Sequence, residues 1–211
     1  MPTKHNFLIG CCKKNCPTSY YANRNCHLEN DTSNNLIVNG NFESGNLAPW
    51  RVSGLYTGMG TCPQSNRDWN VFSANSTGCL DVGPPVSGTY AIYNMLDGIQ
   101  NTTYTLSQNI TIPVNFNSAI LSWIQAYTTN MHNLPRTLSV DFYNGLSFAG
   151  NAYFFTFPTM ASTGWHTIEN DVFPILNQYR GRELRLQFSI FIPETWTGPG
   201  GFVMDDISLI L

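Results

Sequence analysis

The chain has 211 residues and a formal net charge of −3, and only 11% of its residues are Asp, Glu, Lys or Arg. An average soluble domain carries roughly 25% charged residues, so Asn, Thr, Ser, Gly and Tyr must supply most of the polar surface. The small negative charge provides no basic surface for nucleic acid, and the short, alternating apolar stretches argue against a membrane span.

Residues 1–34 differ in composition from the rest of the chain. They are polar, rich in Lys and Asn and dense in cysteine, and they show no apolar period of 2 or 3.6 residues. We interpret them as an extended N-terminal arm that cannot form a core alone. The remaining residues, 35–211, are enough for one β-domain with a substantial core.

From Leu36 onward, short β-like runs are separated by Gly, Pro, Asn and Ser. The clearest predicted strands cover residues 104–112, 120–125, 138–142, 184–192 and 202–211. Runs that alternate apolar and polar residues bury one face against a second sheet. Only residues 171–179 suggest a short helical turn. The sequence therefore predicts an all-β fold, a two-sheet jelly-roll β-sandwich with an extended N-terminal arm.

Several short motifs occur in the order seen in one known family. They are Asn39–Gly45 (NGNFESG) with Trp50 downstream, Pro85–Tyr93, Tyr104–Pro113, Gly164–Trp165 and Met204–Leu209. Through these motifs, residues 36–211 resemble the galactose-binding-like β-sandwich of carbohydrate-binding modules. The resemblance implies that Trp50 and Trp165 pack in the core. It does not imply a ligand, since the same scaffold also serves adhesins, capsid decorations and enzyme accessory domains.

The resemblance also implies a structural calcium ion between the first and last strands. By position, its ligands would be Glu43 and either Asp205 or Asp206, helped by backbone carbonyls, a donor set that hard cations prefer. Strict alternation would place Asp205 on the face of Val203 and Ile207, and Asp206 on the opposite face. The alternative is that these carboxylates cap turns and face solvent.

Sugar binding requires exposed aromatic platforms and polar partners for hydroxyl groups, and 13% of this chain is aromatic. Most of these rings are expected in the core, because aromatic side chains dominate burial. The candidate binding residues are the platforms Trp69, Tyr127 and Trp196 and the polar partners Asn130, His132 and Arg136. The alternative for each is ordinary packing or the anchoring of a turn.

Two of the cysteines lie within the predicted domain. Cys62 and Cys79 flank a loop rich in Ser, Asn and Gly, and we expect an intradomain disulfide between them. Closing that loop would stabilise the fold by about 3 kcal/mol through the entropy of the unfolded chain.

The four arm cysteines, Cys11, Cys12, Cys16 and Cys26, have a different spacing. Neighbouring cysteines rarely pair with each other, because a vicinal disulfide strains the backbone. A Cys-Cys pair on a flexible leader before a jelly roll resembles the N-terminal connector of bacterial endospore appendage subunits, which implies intermolecular disulfides between subunits. Two alternatives are a zinc site formed by Cys12, Cys16 and Cys26 with His27, and disulfides within the arm.

The sequence contains no Gly-x-Ser-x-Gly, His-Glu-x-x-His or Gly-rich phosphate-loop motif, so we predict no catalysis and no organic cofactor. The leading hypothesis is a non-enzymatic, self-associating surface protein, a fibre, coat or appendage subunit cross-linked through its arm. The alternative hypothesis is a carbohydrate-binding or adhesion module with an incidental arm. An enzyme that uses a carboxylate pair is a third reading.

The cysteine content also bears on location. Six cysteines favour an oxidising environment, whereas residues 1–9 lack the apolar core of a secretory signal. We therefore expect an extracellular or particle-surface location, such as a spore or virion surface. The expected partners are other copies of the chain and glycans.

Overall fold

The computed structural model describes residues 34–53, 68–73, 84–97, 101–193 and 200–211. They belong to one unit of the chain, Ser33–Leu211. The predicted arm lies outside the described residues except for Asn34, and so do all six cysteines and Trp196. The arm, its disulfides or zinc, the Cys62–Cys79 disulfide and the platform role of Trp196 therefore stay predictions.

The described residues form ten β-strands and one short helical segment. The strands are β1 Arg51–Ser53, β2 Asn70–Ser73, β3 Tyr90–Asn94, β4 Thr102–Thr111, β5 Ile120–Thr128, β6 Thr137–Asn144, β7 Ser147–Thr156, β8 His166–Asp171, β9 Glu183–Ile192 and β10 Gly201–Ile210. The helix α1, Phe173–Leu176, continues into a 3-10 turn at Asn177–Tyr179. The predicted all-β class and the helical turn within 171–179 are both confirmed.

The strands form two five-stranded antiparallel sheets that make a β-sandwich. The front sheet has the order β1-β4-β9-β6-β7, and the back sheet has the order β2-β3-β10-β5-β8. From β3 to β6 the chain alternates between the sheets, so neighbours in sequence face each other across the core. The predicted two-sheet sandwich is confirmed.

Period-2 patterning explains the core between the sheets. In β9, every second side chain from Leu184 to Ile192 is buried, and the intervening ones are partly exposed. Phe188 packs edge-on against Trp123 of the back sheet, with their ring centroids 5.4 Å apart. Fully burying one such side chain contributes roughly 1.5–3 kcal/mol, so these alternating runs are the main source of the sandwich's stability.

The NGNFESG motif joins the start of the domain to the last strand. The Ile207 amide donates to the Gly40 carbonyl at 2.9 Å, and a Cβ atom on Gly40 would lie only 1.9 Å from the Ile207 carbonyl oxygen. Trp50 is 5% exposed and donates from Nε1 to the Asn39 carbonyl at 3.1 Å. The predicted packing role of Trp50 is confirmed, and the motif serves the fold itself.

Five of the strands, β1, β2, β3, β7 and β8, were not among the clearest sequence predictions. In β7 the register with β6 skips one residue at Ala149 and another at Ala152. These bulges break the alternation on which a period-2 prediction depends.

No helix within the described ranges is long and apolar enough to cross a membrane.

Candidate functional site

The residues predicted to bind calcium meet where the first segment, the start of β3 and the last strand come together. The Glu43 carboxylate accepts hydrogen bonds from the Thr89 amide at 2.9 Å and the Tyr90 amide at 2.8 Å. The Ser87 hydroxyl donates to Asp206 Oδ2 at 3.1 Å and lies 3.5 Å from Asp205 Oδ2. The structure thus gathers all three carboxylates around residues 87–90.

Asp205 is the most deeply buried member of this carboxylate cluster. It is fully buried, and burial raises the pKa of its carboxyl to about 7, with a further contribution from the nearby charges of Asp206 and Glu43. The Asp206 amide donates to Asp205 Oδ1 at 2.8 Å, which opposes the shift by stabilising the charged form. A cation at this position would lower the same pKa.

The predicted alternation along the last strand is wrong at this point. Phe202 and Met204 face the core, yet Ile207 and Leu209 also face it, so one extra residue lies between the two pairs. The pairing of β10 with β5 shifts between Asp205 and Ser208, and Asp206 has a φ of 51°. This β-bulge places Asp205 and Ile207 on different faces.

The donor set fits a hard cation in type, because it consists of carboxylate and hydroxyl oxygens. Among the described residues, however, no three His, Cys, Asp or Glu side chains are gathered closely enough to form a metal cluster. A cation would therefore need Asp205, Asp206 and backbone carbonyls, and Glu43 would have to turn toward it. The calcium site remains a proposal.

Trp69 was predicted to be an exposed platform, and that expectation is wrong. The side chain is 1% exposed, its ring packs edge-on against Phe202 at 5.9 Å between centroids, and its Nε1 donates to the Tyr104 carbonyl at 3.3 Å. Neither face of the indole is free for a sugar. Polar neighbours in sequence suggested a loop, but the residue lies just before β2 and fills the core.

The other predicted sugar-binding residues form a cluster at the end of β5, which we call the loop cluster (Tyr127, Asn130, His132 and Arg136). Tyr127, His132 and Arg136 are buried, and only Asn130 is exposed. The Tyr127 ring contacts Phe155 and Phe157, each at 5.5 Å between centroids.

The polar groups of the loop cluster have partners in the protein. His132 Nδ1 lies 2.8 Å from the Leu134 carbonyl, and an Arg136 Nη atom donates to the Leu96 carbonyl at 2.5 Å. Burial raises the pKa of the Tyr127 hydroxyl. These contacts hold loops together, so the structure does not present this cluster as a sugar platform.

A polar and aromatic surface lies on the outer side of the front sheet, and we call it the front face. Cross-strand pairing arranges it in three rows, Asn109, Arg185, Tyr143 and Phe148 in the first, Arg51, Ser107, Gln187, Asp141 and Asn151 in the second, and Ser53, Thr105, Ser189, Ser139 and Phe154 in the third. Paired residues point to the same side of a sheet. With a strand spacing of roughly 4.8 Å, five strands span about 19 Å.

The middle of the front face carries two neighbouring sets of hydrogen-bonded polar side chains. The Asp141 carboxylate accepts hydrogen bonds from the Ser139 hydroxyl at 2.6 Å and from Asn151 Nδ2 at 2.8 Å. Gln187 Nε2 donates to the Ser189 hydroxyl at 3.0 Å. Such contacts fix the rotamers of planar amide and carboxylate groups, which leaves them oriented toward whatever lies on the face.

Aromatic rings border these polar side chains along β6 and β7. Phe148 and Phe154 are 61% and 62% exposed, values that are high for large apolar side chains on a sheet. Tyr143 lies edge-on to Phe148 at 6.0 Å between centroids, and the Arg185 guanidinium carbon lies 4.8 Å from the centre of the Tyr143 ring. The front face therefore combines exposed rings with oriented hydrogen-bonding groups.

Sequence reasoning missed the front face. Its residues alternate with core residues in β4, β6 and β9, and the polar half of each run was read simply as solvent-facing. The available signal was the composition of that half, which in β9 is Glu183, Arg185, Gln187 and Ser189 and in β6 includes Asp141 and Tyr143. The pairing of the strands was needed to see that they form one surface.

Comparisons with known proteins identify the fold. No protein-family model matches the sequence, and no curated protein matches it. The carbohydrate-binding module TmCBM61, solved in complex with β-1,4-galactotriose, matches with a TM-score of 0.53 at 20% identity, over 83% of this chain and 97% of that chain. The Stig cyclase Fisc from Fischerella sp. TAU matches with a TM-score of 0.53 at 13% identity, over 83% and 96%.

A third match is the enzymatically active domain of tailspike protein 4 from bacteriophage CBA120. Its TM-score is 0.50 at 14% identity, and the match covers 84% of this chain but only 21% of that chain. Together these likenesses confirm the predicted sandwich of the carbohydrate-binding-module type. A binding module and a cyclase share it, so the fold alone does not separate binding from catalysis.

Proposed function

We propose that this protein binds glycans through its front face, without transforming them. The observation that carries the proposal is the combination, on one sheet face, of the hydrogen-bonded polar side chains around Asp141 and Gln187 with the rings of Tyr143 and Phe148. The C–H faces of a pyranose stack on aromatic rings, and its hydroxyls pair with planar amides and carboxylates. The likeness to TmCBM61 supports this reading.

The length of the front face favours a chain of sugars over a single one. Its second and third rows run across all five strands, and its first row runs across four of them. A polysaccharide that lies along a row would contact the polar side chains in the middle and the rings at the β7 side. β-1,4-Galactan is the first ligand to test, since a galactotriose of that linkage is bound by TmCBM61.

Isothermal titration calorimetry of the purified protein with a panel of soluble polysaccharides tests the proposal. We expect saturable binding that Tyr143→Ala and Gln187→Ala weaken, whereas Thr167→Ala, an exposed position on β8 of the back sheet, leaves it unchanged. The ligand should be recovered intact, with no release of reducing ends. Absence of binding across neutral and acidic polysaccharides would contradict the proposal, and turnover of a bound glycan would contradict its non-catalytic part.

We also propose that the carboxylate cluster of Glu43, Asp205 and Asp206 holds a structural calcium ion. The buried, high-pKa carboxyl of Asp205 supports this, because a cation would compensate the charge that burial disfavours. Calcium should raise the melting temperature and a chelator should lower it, while Glu43→Gln and Asp205→Asn should reduce the calcium response. Glu169→Gln, on β8, is the matched control. A melting temperature that does not change when calcium is added would rule the site out.

Self-association through the arm is the second candidate function. It is favoured by the four cysteines at positions 11, 12, 16 and 26 and by the predicted extracellular or particle-surface location. A non-reducing gel of the oxidised protein tests it. A ladder that collapses on reduction, and that is lost in Cys11→Ser/Cys12→Ser, would support cross-linking. A clean oxidised monomer would leave glycan binding as the only proposed function.

A further inference from the structure

Arg185 is the cation at the centre of the first row of the front face. It lies on β9 between Asn109 of β4 and Tyr143 of β6. Its side chain is only partly exposed, and its Nε atom is buried without a hydrogen-bond partner among the described residues. The contact that the described structure gives the guanidinium is with the Tyr143 ring, 4.8 Å from its centre.

An unsatisfied buried guanidinium donor is unfavourable for the isolated protein. Arginine stays charged at any physiological pH, and a buried donor without an acceptor costs about 1–3 kcal/mol or more. Among the described residues, neither neighbouring acid accepts a hydrogen bond from it. Glu183, two residues away on the same face, accepts from Asn109 Nδ2 at 3.0 Å, and Asp141 accepts from Ser139 and Asn151.

Arg180 is an arginine of this protein whose guanidinium nitrogens all donate hydrogen bonds, and it serves as a comparison for Arg185. Its guanidinium also lies over an aromatic ring, 4.2 Å from the centre of Phe116. All three of its nitrogen positions donate, from Nε to Asn177 Oδ1 at 2.8 Å and from its two Nη atoms to the Val114 and Phe116 carbonyls at 2.7 and 2.6 Å. Arg185 has the ring contact but no hydrogen bond among the described residues, so its donors are available to an acceptor that is not one of them.

We propose that Arg185 binds the carboxylate of an acidic sugar, so that the front face takes a glycan containing uronic acid residues. This inference rests on the proposed glycan-binding function and names its substrate class. The planar guanidinium can donate two parallel hydrogen bonds to one carboxylate, and the Tyr143 ring holds it in a fixed plane. Asn109 and Gln187, its neighbours on the sheet, are positioned to contact hydroxyls of the same sugar.

The test compares two forms of one polymer, one with free, charged carboxylates and one in which they are neutral methyl esters. Polygalacturonate and its methyl-esterified form are titrated into the wild-type protein, Arg185→Gln and Arg185→Lys. The matched control is Arg182→Gln, which removes one positive charge at an exposed position just before β9. Thermal unfolding of each variant, expected to stay within a few degrees of the wild type, confirms that the fold is intact.

The wild type should bind the carboxylate form at least about tenfold more tightly than the ester, a difference of the size expected for a charge-assisted bidentate pair. Arg185→Gln should abolish this preference, Arg185→Lys should restore only part of it because the ammonium lacks the planar fork, and Arg182→Gln should retain it. Equal binding of both forms by the wild type, or a preference unchanged in Arg185→Gln, would overturn the inference.

Two further arms separate this inference from the proposed function. Binding of neutral β-1,4-galactan that depends on Tyr143, with no preference for the carboxylate polymer, would overturn the acidic-sugar inference and leave glycan binding standing. Tighter binding of a sulfated glycan than of polygalacturonate would overturn the assignment to a carboxylate. Failure of every polymer to bind would overturn both proposals.

Discussion

The loop cluster and the front face contain similar residue types but differ in what those residues contact. In the loop cluster, Tyr127, His132 and Arg136 are buried. Tyr127 packs against an aromatic ring, and the His132 and Arg136 side chains contact backbone carbonyls within hydrogen-bond distance. On the front face, Phe148 is largely exposed and Arg185 Nε has no described acceptor. Aromatic and polar content alone therefore does not distinguish the two regions. Exposed rings and hydrogen-bonding groups without described partners are found on the front face, which is why we propose it as the binding surface.

The largest expected effect is the loss of stability when a buried ring is removed, and Trp69 in the core tests it. Trp69→Ala should lower the free energy of unfolding by about 3–5 kcal/mol, because it removes a fully buried indole and leaves a cavity. Urea denaturation measures this change. A loss below 1 kcal/mol would show that the ring is not part of the core.

The carboxylate cluster gives a pH-dependent test. Folding raises the pKa of Asp205 from 3.8 to about 7, so between those pH values the native state binds a proton that the unfolded state does not. With a chelator present, the stability contributed by protonated Asp205 should be complete below pH 4 and should fall as the pH rises to 7, by up to about 4 kcal/mol.

Asp205→Asn isolates that effect, because it keeps the shape of the side chain and removes the titrating proton. Its denaturation free energy should vary less across the same pH range than that of the wild type. If calcium binds as proposed, adding it at pH 7 should restore the stability of the wild type but not of Asp205→Asn. Parallel pH profiles for the two proteins would contradict the assignment of the titration to this carboxyl.

Tyr143 tests the front face by binding. Tyr143→Ala should weaken glycan affinity by about tenfold, since it removes both a stacking surface and the support for Arg185. Calorimetry measures the affinity, and the matched change in the loop cluster is Tyr127→Ala. We expect the Tyr127 variant to lose stability but to keep its affinity at temperatures where it is folded. The opposite pattern would reverse the roles assigned to the two regions.

The smallest expected effect is on the stability of exposed front-face rings. Phe148→Ala should change the free energy of unfolding by about 0.5 kcal/mol or less, because the ring is 61% exposed. Its effect should instead fall on binding, where we expect a few-fold loss of affinity. A stability loss as large as that of Trp69→Ala would mean that Phe148 is a packing residue and that the β7 side of the front face is not a platform.

The sequence predicted the structure correctly where the local residue pattern matches the burial of those residues in the fold. The alternating runs at 104–112 and 184–192 correspond to β4 and β9, and the bounds differ by only a residue or two. Trp50 packs as the family resemblance implied. The carboxylates at 43, 205 and 206 do meet around one segment, although their fit to calcium is a proposal.

The sequence failed where contacts from distant parts of the chain override the local pattern. Polar neighbours around Trp69 suggested exposure, yet the indole is buried against Phe202, more than a hundred residues away in the chain. The bulge at Asp206 changes which residues face the core, and bulges at Ala149 and Ala152 conceal β7. A one-residue shift reverses the facing of every later side chain, and alternation counted along a single strand cannot detect it.

The fold class follows from the sequence, because period-2 runs give each strand one apolar face, and two such sheets packed face to face bury it. The contact that joins the two ends of the domain is visible only in the structure, where a Cβ atom on Gly40 would meet the Ile207 carbonyl. The position of the proposed glycan-binding surface also depends on how the strands pair. The front face exists because β1, β4, β9, β6 and β7 pair in an order unrelated to their order in the chain. That order places Arg185 beside Tyr143, with its Nε atom left without a hydrogen-bond partner among the described residues.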